Sequence, residues 1–207
     1  MYINLDDLFA KIEELVLSER APGEGMREIL AQCARDFPHD DWSRLAELDY
    51  DGDVASLAGW IGGVFDREPA PFPIQGLWFG LFNPAEGEKT WADIYVGGMA
   101  EYEPGDKEMS WLYQSDRHFP KNAEAHSVGL RQIHEIAYGG GLGNTAEYPL
   151  CLAFGAFAVR ALLRGQTTKL VGSTAPVIGV VVGFDSGDMV KVGELTPTNF
   201  VPCGKAG

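Results

Sequence analysis

Three cysteines in 207 residues, Cys33, Cys151 and Cys203, are too few, too scattered and odd in number to form a disulfide framework. That excludes a small stapled secreted scaffold and points to reduced thiols in a cytoplasm. Cys33 and Cys151 sit in helical patterns among apolar residues, where a thiol packs as a small hydrophobe. Basic side chains are also scarce: 16 Lys and Arg stand against 30 Asp and Glu, a net charge of −14. Such a field repels phosphate backbones, so direct nucleic-acid binding is disfavoured. Long apolar runs are missing too. The longest, Pro149 to Leu163, is interrupted by Arg160 and falls short of a bilayer span. Met1 to Asp7 has neither a basic n-region nor an apolar core, so no signal peptide is read there. A soluble, cytoplasmic, membrane-free protein is the expectation.

What is present suits a globular domain. The apolar fraction is 45% and the charged fraction 22%, both ordinary values. A chain of this length buries roughly 70% of its unfolded surface and needs no metal or disulfide staple. The charge is unevenly spread: residues 1–70 carry −10, residues 71–120 carry −5, and residues 121–207 carry +1. The acidity therefore belongs to the first 120 residues, where it would draw in a cationic partner.

The patterning predicts one α+β domain over residues 1–207, with a helical N-terminal subregion (1–68) and a sheet with two helices (74–207). Leu5, Leu8, Phe9, Ile12, Leu15 and Val16 recur at helical spacing, predicting a helix over 4–19. A second is expected over 24–36, a short third around Trp42 to Leu48, and a fourth beginning after Asp53 as its N-cap. The Pro-rich stretch Glu68 to Pro73 marks the change to strands. Strands are expected at Ile74–Phe82, Trp91–Val96, Met109–Gln114, Lys169–Val171, Val177–Phe184 and Met189–Leu195, the last two joined by a turn at Asp185–Asp188. Between them lie a helix from Ala123 to Tyr138 and an apolar helix opened by Pro149 and closed by Gly165. The assembled expectation is a mainly antiparallel sheet of five or six strands covered by helices on one face.

Motifs that carry chemistry are incomplete wherever they begin. Gly141 to Ala146 spells G-x-G-x-x-A, but a helix precedes it where a dinucleotide loop requires a strand, and no acid follows at ribose distance. Asp49, Asp51 and Asp53 alternate like a calcium loop, yet the glycine and glutamate that loop requires fall on Val54 and Trp60. His118, His126 and His134 are eight apart, not the three or four of helical metal sites, and His134–Glu135 lacks a second histidine at Tyr138. No serine sits in G-x-S-x-G, and Cys151 lies in an apolar helix. No cofactor, metal or catalytic residue is assigned.

Two functional readings follow. The first is a non-enzymatic acidic protein that masks a basic protein partner through Asp40, Asp41, Trp42, Asp49, Asp51, Glu101, Glu103, Glu108 and Trp111, since aromatics rimmed by acids make good protein-binding patches. Small acidic α+β chains without catalytic signatures resemble, in general character, bacterial immunity proteins that neutralise cationic toxins such as nucleases. The second is a small-molecule binder or enzyme with a pocket at the Gly139–Asn144 loop, formed by His126, His134, Gly141, Gly143 and Asn144. The rings of Trp78, Phe79, Phe82, Trp91, Tyr95, Trp111 and Tyr113 read mostly as core.

Overall fold

The computed structural model describes residues 3–18, 20–185 and 187–203. Its first element, α1 (Leu5–Val16), starts where the Asn4 side chain accepts a hydrogen bond from the Asp6 amide, and it buries Leu8, Ile12, Leu15 and Val16. Residue 19, the predicted end of this helix, lies outside the described residues. α2 (Pro22–Asp36) begins on its proline, whose missing N–H costs nothing at a first helical position. α3 (Asp41–Ala46), α4 (Tyr50–Ile61) and α5 (Val64–Arg67) complete the helical third.

Strands follow. β1 (Gly76–Phe82) turns through a short ribbon, β2 (Ala85–Glu86) and β3 (Lys89–Thr90), into β4 (Asp93–Met99). After α6 (Trp111–Gln114) come two-residue strands β5 (Arg117–His118) and β6 (Glu124–Ala125), both on β4. Two long helices, α7 (Val128–Gly140) and α8 (Asn144–Leu163), lead through a 3-10 turn at Thr168–Val171 to β7 (Ile178–Phe184), β8 (Met189–Leu195) and β9 (Phe200–Pro202). The sheet order is β5-β4-β1-β7-β8-β9. Every pairing is antiparallel except β1 with β7, which is parallel, so the expected mainly antiparallel α+β class holds.

One face of the sheet meets α8. Leu77, Phe79 and Leu81 of β1, Val96 of β4 and Val180 and Val182 of β7 join Phe154 and Phe157 of α8 in one buried core. Gly155 allows the close approach: a Cβ there would stand 3.1 Å from Val182 and 3.2 Å from Leu81. On its other sides α8 contacts α1, α2, α4 and α7, and so it lies between the sheet and a helical layer. A helix apolar all round belongs in such a place. It starts five residues before the predicted Pro149. By length and composition it could cross a bilayer, yet 89% of that apolar window is buried inside the protein. Pro149 leaves the Thr145 carbonyl without its helical donor, and Thr145 is exposed, where water can serve instead.

Several expectations are corrected. Met109–Gln114 is not a strand. The Asp106 carboxylate accepts bonds from the amides of Glu108 and Ser110 and from the Ser110 hydroxyl, which coils the chain into α6. Lys169–Val171 is a 3-10 turn that the Thr167 side chain opens and Gly172, at φ +62°, closes. α7 starts at Val128, because 124–125 is drawn onto the sheet edge as β6. α4 is capped by Asp49, not Asp53. Asp53 instead caps α7, accepting from the Ser127 hydroxyl at 2.5 Å and from the amides of Val128 and Gly129 at 2.9 and 3.0 Å.

Candidate functional site

The far face of the sheet is built from glycines and borrowed rings. Gly76 and Gly80 on β1, Gly97 on β4 and Gly179 on β7 leave slots that side chains from elsewhere fill. Trp111 lies over Gly76, Tyr95 over Gly80, Phe119 over Gly97 and Tyr102 over Gly179, with ring atoms 2.1 to 2.4 Å from where a Cβ would stand. Any larger residue at these positions would lift a ring off the sheet. The covering segment, residues 101–119, pins a second, smaller apolar cluster of Trp78, Met99, Met109, Trp111, Leu112 and Val181.

Beside that cluster the cover stops short. A cavity of about 370 Å³ opens between Trp78, Tyr95, Met99, Leu112, Tyr113, Arg117, Phe119, Asp185 and Met189. A second, of about 320 Å³, shares Tyr95, Phe119 and Asp185 with it and adds Phe82, Pro120, Lys121, Ala123 and Glu124. Tyr113 and Phe119 stand at the mouth, 55% and 47% exposed. Tyr95 packs edge-on against both Phe82 and Phe119. The volume falls at the small end of the range for small-molecule pockets.

The polar groups of the cavity are ordered. The Trp78 indole donates to the Tyr95 hydroxyl at 2.9 Å, and that hydroxyl donates to Asp185. Burial and the Asp185 carboxylate push the Tyr95 phenol well above its ordinary pKa, against the opposing Trp78 N–H, so it holds its proton at all physiological pH. Arg117 stands in the same wall and forms no ion pair among the described residues, with Asp185 or any other carboxylate. At the opposite edge of the face Tyr102 donates to Glu194, which also takes Lys191 at 3.1 Å; the ammonium lies 5.3 Å from the Tyr102 ring centre.

The acids and aromatics singled out in the sequence fall into two groups. In the helical layer, Asp41 and Trp42 are buried. Asp41 pairs with Arg44 at 2.7 Å, and the Trp42 indole donates to the Phe37 carbonyl. Asp49 caps α4, and Asp51 accepts from the Gly23 amide at the start of α2, so both serve as helix caps although they are exposed. Only Asp40 of this group has a side chain that is exposed and uncommitted to another residue. Glu101, Glu103 and Glu108 are exposed on the covering segment of the sheet. Trp111, on the same segment, is buried with its ring over Gly76 of the sheet.

Gly141 and Gly143 have φ of +92° and +52°, the left-handed values that a tight connection between α7 and α8 demands, and Asn144 opens α8. The two histidines sit in hydrogen-bond networks that meet at Trp91, whose indole donates to Asp93 at 2.7 Å and whose carbonyl accepts from Asn83. His126 is exposed beside Asp93, which Arg131 grips through Nε at 2.9 Å and Nη2 at 2.6 Å. His134 is buried, with Nε2 3.0 Å from the Thr90 hydroxyl and Nδ1 3.4 Å from Glu147. Asn83 ties the second network to the β1–β4 connection, donating to Glu147 at 2.9 Å and to the Trp91 carbonyl at 3.1 Å. Among the described residues no group of three His, Cys, Asp or Glu stands close enough to hold a metal ion.

Comparison with protein-family models, with curated proteins and with solved structures gives no match for this chain. Its function therefore has to be argued from the site itself.

Proposed function

We propose that this chain is a non-enzymatic binding protein of the inhibitor or immunity type, which masks a basic protein partner with the far face of its sheet. One observation carries the reading: the covering segment that bears the exposed rings of Tyr113 and Phe119 also bears the exposed acids Glu101, Glu103, Glu108 and Asp116, which outnumber its exposed bases Lys107 and Arg117. Rings of this kind supply contact area at small entropic cost, and tyrosine is favoured at binding hot spots. The net charge of −14 supplies steering toward a cationic surface.

The experiment is affinity capture from the source cell with the intact chain and with a Tyr113→Ser/Phe119→Ser double variant, followed by titration of the purified partner at rising salt. The reading expects a basic partner, an affinity that weakens steeply between 50 and 500 mM salt (about the range over which screening lengths fall severalfold), and loss of capture by the double variant. An association indifferent to salt, or equal capture by the double variant, removes the proposal.

A further inference from the structure

We infer that the cavity between Trp78, Tyr95, Phe119, Arg117 and Asp185 is a small-ligand site for a free α-amino acid with an aromatic side chain. The cavity lies on the face proposed to take the protein partner, but ligand binding is tested on the purified chain alone, so its failure leaves the partner reading standing. Two charges of opposite sign line the cavity. Arg117 and Asp185 line one cavity of about 370 Å³ and are not paired with each other, nor does Arg117 pair with another carboxylate among the described residues. Both side chains are exposed, and each is open to a charged group of a ligand.

The free valences define that ligand. Asp185 spends Oδ1 on the Tyr95 hydroxyl, which leaves Oδ2 to accept from an ammonium group. Arg117 offers a planar fork of donors that matches a carboxylate. The Tyr95 hydroxyl is already held by Trp78 and Asp185, so it orients the carboxylate and does not compete for the ligand. The rest of the lining includes the rings of Tyr95, Phe119 and Trp78 and the Met99 and Met189 side chains. Such walls take an aromatic group edge-on or offset-stacked, and sulfur favours the same neighbour. Arg117 and Asp185 together carry no net charge. A zwitterion satisfies them without adding charge to a strongly acidic protein, whereas a simple anion would meet its field and a simple cation would face Arg117.

Calorimetric titration of the purified chain tests this with L-phenylalanine, with 3-phenylpropionate (carboxylate only) and with 2-phenylethylamine (ammonium only). Saturable binding of L-phenylalanine is expected, with each single-charge analogue at least about tenfold weaker, a ratio worth ~1.4 kcal/mol. Arg117→Gln should weaken L-phenylalanine at least about tenfold and leave 2-phenylethylamine unchanged; Asp185→Asn should weaken L-phenylalanine equally and leave 3-phenylpropionate unchanged. Asparagine keeps a carbonyl for the Tyr95 hydroxyl and Arg117 is exposed, so both variants should unfold at the wild-type temperature, which melting curves check. No saturable heat with L-phenylalanine, analogues that bind as well as it does, or charge variants that bind it like the wild type would each overturn the inference.

Discussion

Tyr95 donates its hydroxyl hydrogen to Asp185, a residue 90 positions later in the chain, and in doing so joins β4 to the turn that follows β7. The same hydroxyl accepts the Trp78 indole N–H. Three side chains from separate strands and a turn are thereby fixed at the floor of the aromatic cavity.

Removing that hydroxyl should be felt at both ends. Tyr95→Phe leaves the Trp78 N–H and one Asp185 oxygen without their partner, a loss of about 1–3 kcal/mol for a desolvated group. Urea denaturation measures it. A variant as stable as the wild type would show that water replaces the phenol without cost.

Asp53 should matter more than its place in α4 suggests. Its buried carboxylate takes three donors at the start of α7, 74 to 76 residues away. Asp53→Ala strands those donors and removes the tie between α4 and α7, at a cost of about 2–4 kcal/mol from a lost cap and unsatisfied buried groups. Asp49→Ala removes only an exposed cap and should cost about 1 kcal/mol or less. Equal losses for the two would contradict the assignment.

Acid should expose the Asp93–Arg131 pair. Burial raises the Asp93 carboxyl, but hydrogen bonds from Arg131, Trp91 and His126 outweigh it and hold its pKa below the ordinary value. A carboxyl lowered on folding stabilises the protein above its unfolded pKa of about 3.9, and that contribution fades as the pH falls through the folded value. Arg131→Gln should therefore cost about 1.5–3 kcal/mol near neutrality, and the gap to wild type should narrow below about pH 4. A gap that stays constant down to pH 2 would argue that Arg131 acts through packing.

The thiols should separate by place. Burial, with Asp36 adding to it, pushes Cys33 up to about 12, and burial raises Cys151 well above its ordinary value. Both should stay silent to a thiol reagent at pH 8 until the protein unfolds. Cys203 is only partly covered and should react first, slowly, since burial raises it too. Early modification of Cys33 or Cys151 in the folded chain would show that the helical layer opens readily.

Much of the scaffold was legible from pattern. Leu8, Ile12 and Leu15 mark the buried stripe of α1, and the apolar runs at 76–82 and 178–184 are strands buried on both faces. The errors came where a distant or nearby side chain overrode local propensity. Asp106 coils 111–114 although Trp, Leu and Tyr there suit a strand, and Asp53 reads as a local cap because its true partner lies some 75 residues on. The cavity was harder to see. Its signal was the glycines at alternate strand positions, such as Gly76 and Gly80, which weaken a strand unless another group lies on them. Pattern cannot say that the covering rings are Trp111 and Tyr95. The acids misled for a simpler reason: Asp41, Asp49 and Asp51 are spent on helix ends and an ion pair.

Hydrogen–deuterium exchange of the chain with and without its captured basic partner tests the central claim most directly. Partner binding on the far face of the sheet predicts new protection over residues 101–119 and at the turn after β7, with α2 to α4 unchanged. Protection confined to the helical layer around Asp40 and Asp49, with residues 101–119 exchanging as before, would contradict it.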